Sequence, residues 1–210
     1  MTLPASSLIT LNNRGVRSVS AFGSIHTGSM VFIKKLTASS SATLSFVNGS
    51  SDVVLDSTYK EYVFTFKDIH PGTNDADTLM LASSDTGSTY DKVATGSFFQ
   101  SFNQESDGGS GVGYLTSKDI QEGTGGVPLD HSVGNDNDQS SAGFIHLFNP
   151  SSTTFIKHYQ ARFNIYHAVD NSQDIYAGGY FNTTSAIDAI QFKKDTGNID
   201  AGDICLYGIL

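Results

Sequence analysis

The stretch at residues 59–69 does most to limit what this chain can fold into. Tyr62, Phe64 and Phe66 fall on one face of an extended segment, and Glu61, Thr65 and Lys67 fall on the other. Successive side chains of a strand point to opposite faces of its sheet, so this is the pattern of a half-buried β-strand. His70-Pro71-Gly72 ends it, because proline has no N–H to give to a ladder. Related patterns recur along the chain. Met30-Val31-Phe32-Ile33 reads as a buried strand, and residues 42–47 alternate ahead of Asn48-Gly49, a hairpin signal. Residues 78–82, 97–102, 143–149, 153–167, 175–182, 187–193 and 203–209 read as further strands. Asn149-Pro150-Ser151-Ser152 is a turn between two of them, and Asp195-Thr196-Gly197-Asn198 marks another hairpin. About nine or ten strands with no amphipathic helix predict an all-β fold, an antiparallel two-sheet β-sandwich of jelly-roll-like type.

The chain has 210 residues, which suits one large domain over residues 30–210. A domain of that size buries roughly 70% of the surface its unfolded chain exposes, so it needs neither disulfide nor metal staple. Cys205 is the one cysteine and lies in the alternating run Asp203-Ile204-Cys205-Leu206-Tyr207, where it reads as a small buried hydrophobe. Residues 1–29 are small, polar and glycine-punctuated, with one short alternating run at 16–22, and are expected to form an extended N-terminal arm. Residues 103–142 are rich in Gly, Asn and Asp and poor in apolar residues. They are expected to form a long loop region with one short strand near Tyr114-Leu115.

The net charge is −9, unevenly spread. Residues 1–51 hold Arg14, Arg17, Lys34 and Lys35 and no acid, so the remainder carries 8 basic and 21 acidic residues. An acidic body argues against nucleic-acid binding, which needs a basic footprint. The basic leader suits docking on an acidic partner, with Arg14 and Arg17 as candidate anchoring residues; a frayed terminus without a role is the competing reading. There is no charged segment followed by a long apolar core at the N-terminus, and no apolar run near the roughly 20 residues that cross a bilayer. Synthesis in a cytoplasm and no membrane insertion are expected.

Signatures of catalysis fail in turn. The sequence has no Gly-x-Ser-x-Gly elbow, no His-Glu-x-x-His and no phosphate loop, so neither enzymatic activity nor a cofactor is expected. Asn135-Asp136-Asn137-Asp138 offers oxygen ligands for an ion. An EF-hand starting at Asp136 would put Ala142 at the seventh position and Leu147 at the twelfth, which excludes that loop type and favours a turn. Ser83-Ser84-Asp85-Thr86-Gly87-Ser88-Thr89-Tyr90 resembles the Asp box of sialidases, a structural turn even there, in a single copy. None of the six histidines pairs at metal spacing, although His146 and His158 flank the 149–152 turn. Tyr166, Tyr176, Tyr180 and Phe181 surround residues 168–174 and are candidates for a glycan-stacking platform, with core packing as the competing role.

Several segments share a further likeness: residues 53–64 leading to Ile69-His70-Pro71, residues 134–140, residues 147–154, and the closing Gly197-Asn198-Ile199 and Leu206-Tyr207-Gly208-Ile209. Together they resemble a family of virion and fibre-like structural proteins of marine tailed bacteriophages, from about residue 30 to the end. The resemblance implies a non-enzymatic structural component on the exterior of a virion, as a head decoration, a fibre or a tail-associated protein. It implies other virion proteins as partners, a homo-oligomer with a trimer favoured, and host surface glycan as a contact. A carbohydrate-binding module is the alternative. The residues before 30 fall outside the strongest likeness, which suits an anchoring segment.

Overall fold

The alternation at 62, 64 and 66 becomes strand β3 (Glu61–Pro71), with all three aromatic side chains buried and Lys67 turned to solvent. Beyond Phe66 the ladder slips. Asp68 takes a left-handed φ of 51°, and the extra residue returns Ile69 to the buried face. The computed structural model describes residues 29–210; residues 1–28, with Arg14, Arg17 and the run at 16–22, lie outside the described residues.

The remaining strands are β1 (Met30–Thr37), β2 (Leu44–Val47), β4 (Thr78–Ser83), β5 (Ala94–Gln104), β6 (Ser110–Tyr114), β7 (Ile120–Gly123) and β8 (Val127–Pro128), then β9 (Ser141–Phe148), β10 (Lys157–His167), β11 (Asn171–Phe181), β12 (Ala189–Lys194) and β13 (Ile199–Ile209). Among the described residues there is no α-helix and only one short 3₁₀ turn, Thr116–Lys118. Nine strands form an antiparallel sheet in the order β1-β13-β3-β9-β10-β11-β5-β6, with β7 also on β5. The other four form a small sheet, β2-β12-β4-β8. The two pack face to face as an antiparallel β-sandwich with one core cluster that draws on both sheets.

Phenylalanine joins the sheets. Phe192 of β12 meets Phe64 at 5.2 Å and Phe66 at 4.9 Å, and Phe46 of β2 meets Phe64 at 5.3 Å, all edge-on. Such pairs add about 0.5–1.5 kcal/mol each to the burial of the rings. Phe66 and Phe163 also touch at 4.9 Å although β9 runs between their strands, with Gly143 as the residue opposite both. The rings bridge over a position without a side chain. A Cβ there would stand 2.6 Å from Phe163 Cγ and 2.4 Å from the Arg162 carbonyl oxygen. Gly143→Ala is therefore expected to lower stability by about 1–3 kcal/mol through overpacking, read as a fall in the chemical-denaturation midpoint.

Four expectations change. Asn48-Gly49 does make a turn, with Gly49 at φ 76°, but β2 pairs with β12 and not with the following strand. Residues 195–198 also turn, with Gly197 at φ 70°, yet they carry the chain from β12, in the middle of the small sheet, to β13 in the large one. β1 is an edge strand with Met30 and Phe32 half-exposed, not a buried strand. Residues 103–142 hold three short strands, β6 to β8, where one was expected. No helix among the described residues is long and apolar enough to cross a membrane.

Candidate functional site

The face of the large sheet turned away from the small one carries an ordered side-chain pattern. Antiparallel pairing aligns Phe144 of β9, Arg162 of β10, Tyr176 of β11, Phe99 of β5 and Tyr114 of β6 in one row across five strands. Directly opposed residues in adjacent strands lie about 5 Å apart, which brings neighbours along the row within reach of one another. Phe99 and Tyr176 stack with centroids 5.0 Å apart and planes 4° from parallel. The Arg162 guanidinium lies 5.0 Å from the Tyr176 ring centre, stacked as a cation on a π-face.

Arg162 is fixed from the other side by Asp174. Its Nε donates to Oδ1 at 3.1 Å and its Nη2 to Oδ2 at 2.7 Å, a two-pronged pair. The guanidinium holds the Asp174 carboxyl below the usual carboxylate range, and the Tyr176 hydroxyl donates to the same carboxylate at 3.2 Å. The wall of rings is thus held by charge and stacking within the chain.

The next row along the strands is His146, Gln160, Gly178 and Ser97. These shorter side chains lie beside the ring wall and floor a groove of about 440 Å³. On its far side Tyr180 stands against His158 at 6.0 Å, and Phe148 stacks on His146 at 6.1 Å. His146 Nδ1 is in turn paired with Glu61. Phe99 and Phe144 remain 44% and 40% exposed, more than packing within the chain requires.

Of the four aromatic residues singled out in the sequence, Tyr176 stands in the groove wall and Tyr180 on the same face one row beyond the floor. Tyr166 shares that face but sits opposite Ser172, four residues from Tyr176, about 13 Å along the strand. Its hydroxyl donates to Glu105 at 3.2 Å. Phe181 is a correction. It is 1% exposed and packs on Tyr159 in the core, because its odd position puts it on the face opposite to Tyr176 and Tyr180. Tyr176 also differs from a free stacking surface, since Phe99 covers one ring face and Arg162 the other. Phe99, Phe144, Arg162, His146 and Gly178 were not singled out in the sequence. Phe98-Phe99 held a signal for one of them, as adjacent residues of a strand cannot both face the core.

The other candidates resolve into structure. Asp136 and Gln139 close a turn on each other, Gln139 N donating to the Asp136 carbonyl at 2.8 Å and Asp136 N to Gln139 Oε1 at 3.0 Å. Asp85 accepts from Ser83 Oγ at 2.6 Å, Thr89 N at 2.9 Å and Thr89 Oγ1 at 2.6 Å, which pull its carboxyl well below the usual range. His146 and His158 each have a different partner. Among the described residues no cluster of three His, Cys, Asp or Glu side chains is placed to hold a metal ion. Cys205 is half-buried on the outer face, opposite Lys35 and Thr65. No family model, curated protein or solved structure matches the chain.

Proposed function

We propose that this chain is a non-enzymatic structural component of the exterior of a bacteriophage particle that meets carbohydrate through the outer face of its large sheet. The observation that carries the carbohydrate contact is the groove beside the Phe144-Arg162-Tyr176-Phe99 row. It combines exposed ring surface with the polar side chains of Gln160, His146 and Arg162, which can bond sugar hydroxyls. Among the described residues no carboxylate lines the groove, which favours binding over acid–base chemistry. Placement on a virion is supported by the likeness of the segments at 53–64, 134–140, 147–154 and the closing strands to phage structural proteins. Association of copies in a closed symmetric assembly, with a trimer favoured, fits the same reading. A carbohydrate-binding module outside any particle is the alternative.

Binding of the purified protein to a glycan array, followed by titration calorimetry, tests the contact. Tyr176→Ala removes the middle of the wall and is expected to weaken binding about tenfold, the effect of about 1.4 kcal/mol. Tyr166→Ala, about 13 Å away, is expected to leave it unchanged. A blank array, or equal losses at both positions, would remove the groove from consideration. Antibody labelling of intact particles separates the virion component from the free module.

A further inference from the structure

We infer that the groove takes a linear, uncharged polysaccharide chain laid across the strands, passing over Gly178. The inference rests on the carbohydrate reading of this face and deepens it by naming the ligand class and the residue that admits it.

Gly178 is the starting point. It sits in the interior of β11, where glycine weakens a strand by its extra freedom and by packing nothing. At Gly143 the missing side chain makes room for two core rings. At Gly178 nothing of the kind applies. A Cβ there would point outward and meet only the Tyr159 carbonyl oxygen, at an ordinary 3.8 Å. The fold has no need of glycine at 178, yet its absence of a side chain keeps the groove floor low between Gln160 and Ser97. Close approach of another molecule's backbone or ring is the remaining physical use for it.

The shape of the space gives the ligand's form. Its residues come from β9, β10, β11 and β5, whose outer members stand about 14 Å apart at the usual strand spacing, room for about three hexose rings in line. The ring wall flanks that path on one side and Tyr180 with His158 on the other.

Charge gives the ligand's class. The permanent cation lining the groove is Arg162, held by Asp174, and the neighbouring His146 ring is hydrogen-bonded to Glu61. A sulfate or uronate on the ligand would compete with Asp174 for that guanidinium, on a protein of net charge −9. Hydroxyl groups ask for less. Gln160, His146 and Arg162 offer donors and acceptors to hydroxyls while the Arg162–Asp174 pair stays intact.

The test uses the full chain and two probe sets: neutral β-linked gluco- and manno-oligosaccharides from di- to hexasaccharide, and alginate and carrageenan oligomers of the same lengths. Affinity for a neutral series is expected to rise with length and level off near the trisaccharide, with the anionic chains at least tenfold weaker. Gly178→Val fills the floor with a residue that favours strands. It is expected to keep the melting temperature at or above that of the parent while binding falls at least tenfold. Equal or tighter binding of the anionic chains, or full affinity in Gly178→Val, overturns this inference and leaves the carbohydrate reading standing if Tyr176→Ala still weakens binding. No binding to any probe by the parent protein removes both. If instead Gly178→Val changes the oligomeric state seen by light scattering, and no oligosaccharide binds, the face is a contact between copies and the inference is wrong.

Discussion

Asp130→Ala is expected to lower folding stability by about 3–5 kcal/mol, because it leaves a buried ammonium without its counter-charge. Asp130 and Lys194 are both fully buried, with Nζ 3.9 Å from Oδ2. They belong to one network. Lys194 Nζ donates to Thr78 Oγ1 at 2.9 Å, and that hydroxyl donates to Asp130 Oδ2 at 2.7 Å. Ser141 Oγ donates to the same oxygen at 2.8 Å, and Thr78 N bonds Oδ1. Thr78 and Lys194 are paired on the small sheet and Ser141 opens β9 of the large one, so the cluster pins the two sheets together. Burial pulls the Lys194 ammonium below its usual range, and the charges of Asp130 first, then Asp77 and Asp195, oppose that fall.

The network is lopsided, which makes the expectation sharper. Without Lys194, Asp130 keeps its three donors from Thr78 and Ser141. Without Asp130, Lys194 keeps only one hydroxyl, and three donors lose their acceptor. Lys194→Met should therefore cost less than Asp130→Ala, and the double variant Asp130→Leu with Lys194→Met should recover the part of the loss that comes from the unpaired ammonium, though not the part from the Thr78 and Ser141 donors. Guanidinium unfolding at neutral pH reads all three. Equal losses in the two single variants, or a double variant as weak as Asp130→Ala, would contradict the account.

The sequence announced the sandwich through local alternation, and alternation is where its reach ended. β3, β9, β10 and β11 each place one residue in two in the core, so their strand character was plain. Partition into sheets of nine and four was not, because turn residues such as Asn48-Gly49 and Asp195-Thr196-Gly197-Asn198 fix the local bend and say nothing about which distant strand comes alongside. β6 showed only at its Tyr114 end, and β7 and β8 passed for loop, because strands this short carry too little alternation for a period-two signal. The same limit holds for the site. Tyr176 and Tyr180 stood among four candidates for a platform with core packing as the competing role, and parity separates Phe181 from both of them. The row that joins Phe144, Arg162 and Phe99 to Tyr176 spans residues 99 to 176 and exists only once four strands are in register.

Acid should loosen this protein before its carboxylates titrate, through His131. The ring is 7% exposed, 5.9 Å from Phe98 and 5.2 Å from His167, with Nε2 against Gln100 Oε1. Burial, and then repulsion from His167 and Lys118, bring its pKa down from 6.5 to about 4, against the pull of Asp130 and Gln173. Burial lowers His167 as well, with Asp75 opposing. In the unfolded chain both rings take up protons near pH 6.5, while the native His131 refuses them until about pH 4. Protons therefore favour the unfolded state across that window. The stabilising contribution is complete above about pH 6.5 and is lost as the pH falls toward 4, to a ceiling of about 3 kcal/mol at about 1.4 kcal/mol per tenfold change in proton affinity. Asp77, whose carboxyl burial pushes up, acts the other way in the lower part of the window. Asp56, Asp174 and Asp203, all held below the usual range, begin to matter only below it. Urea unfolding at steps between pH 7.5 and 4.5 should show a steadily falling midpoint. His131→Gln keeps a neutral hydrogen-bonding group for Gln100 and should flatten most of that fall while being less stable than the parent at pH 7.5. A parent midpoint that stays level over this range, or a variant that keeps the whole slope, would show that the buried imidazole is not the group that acid attacks first.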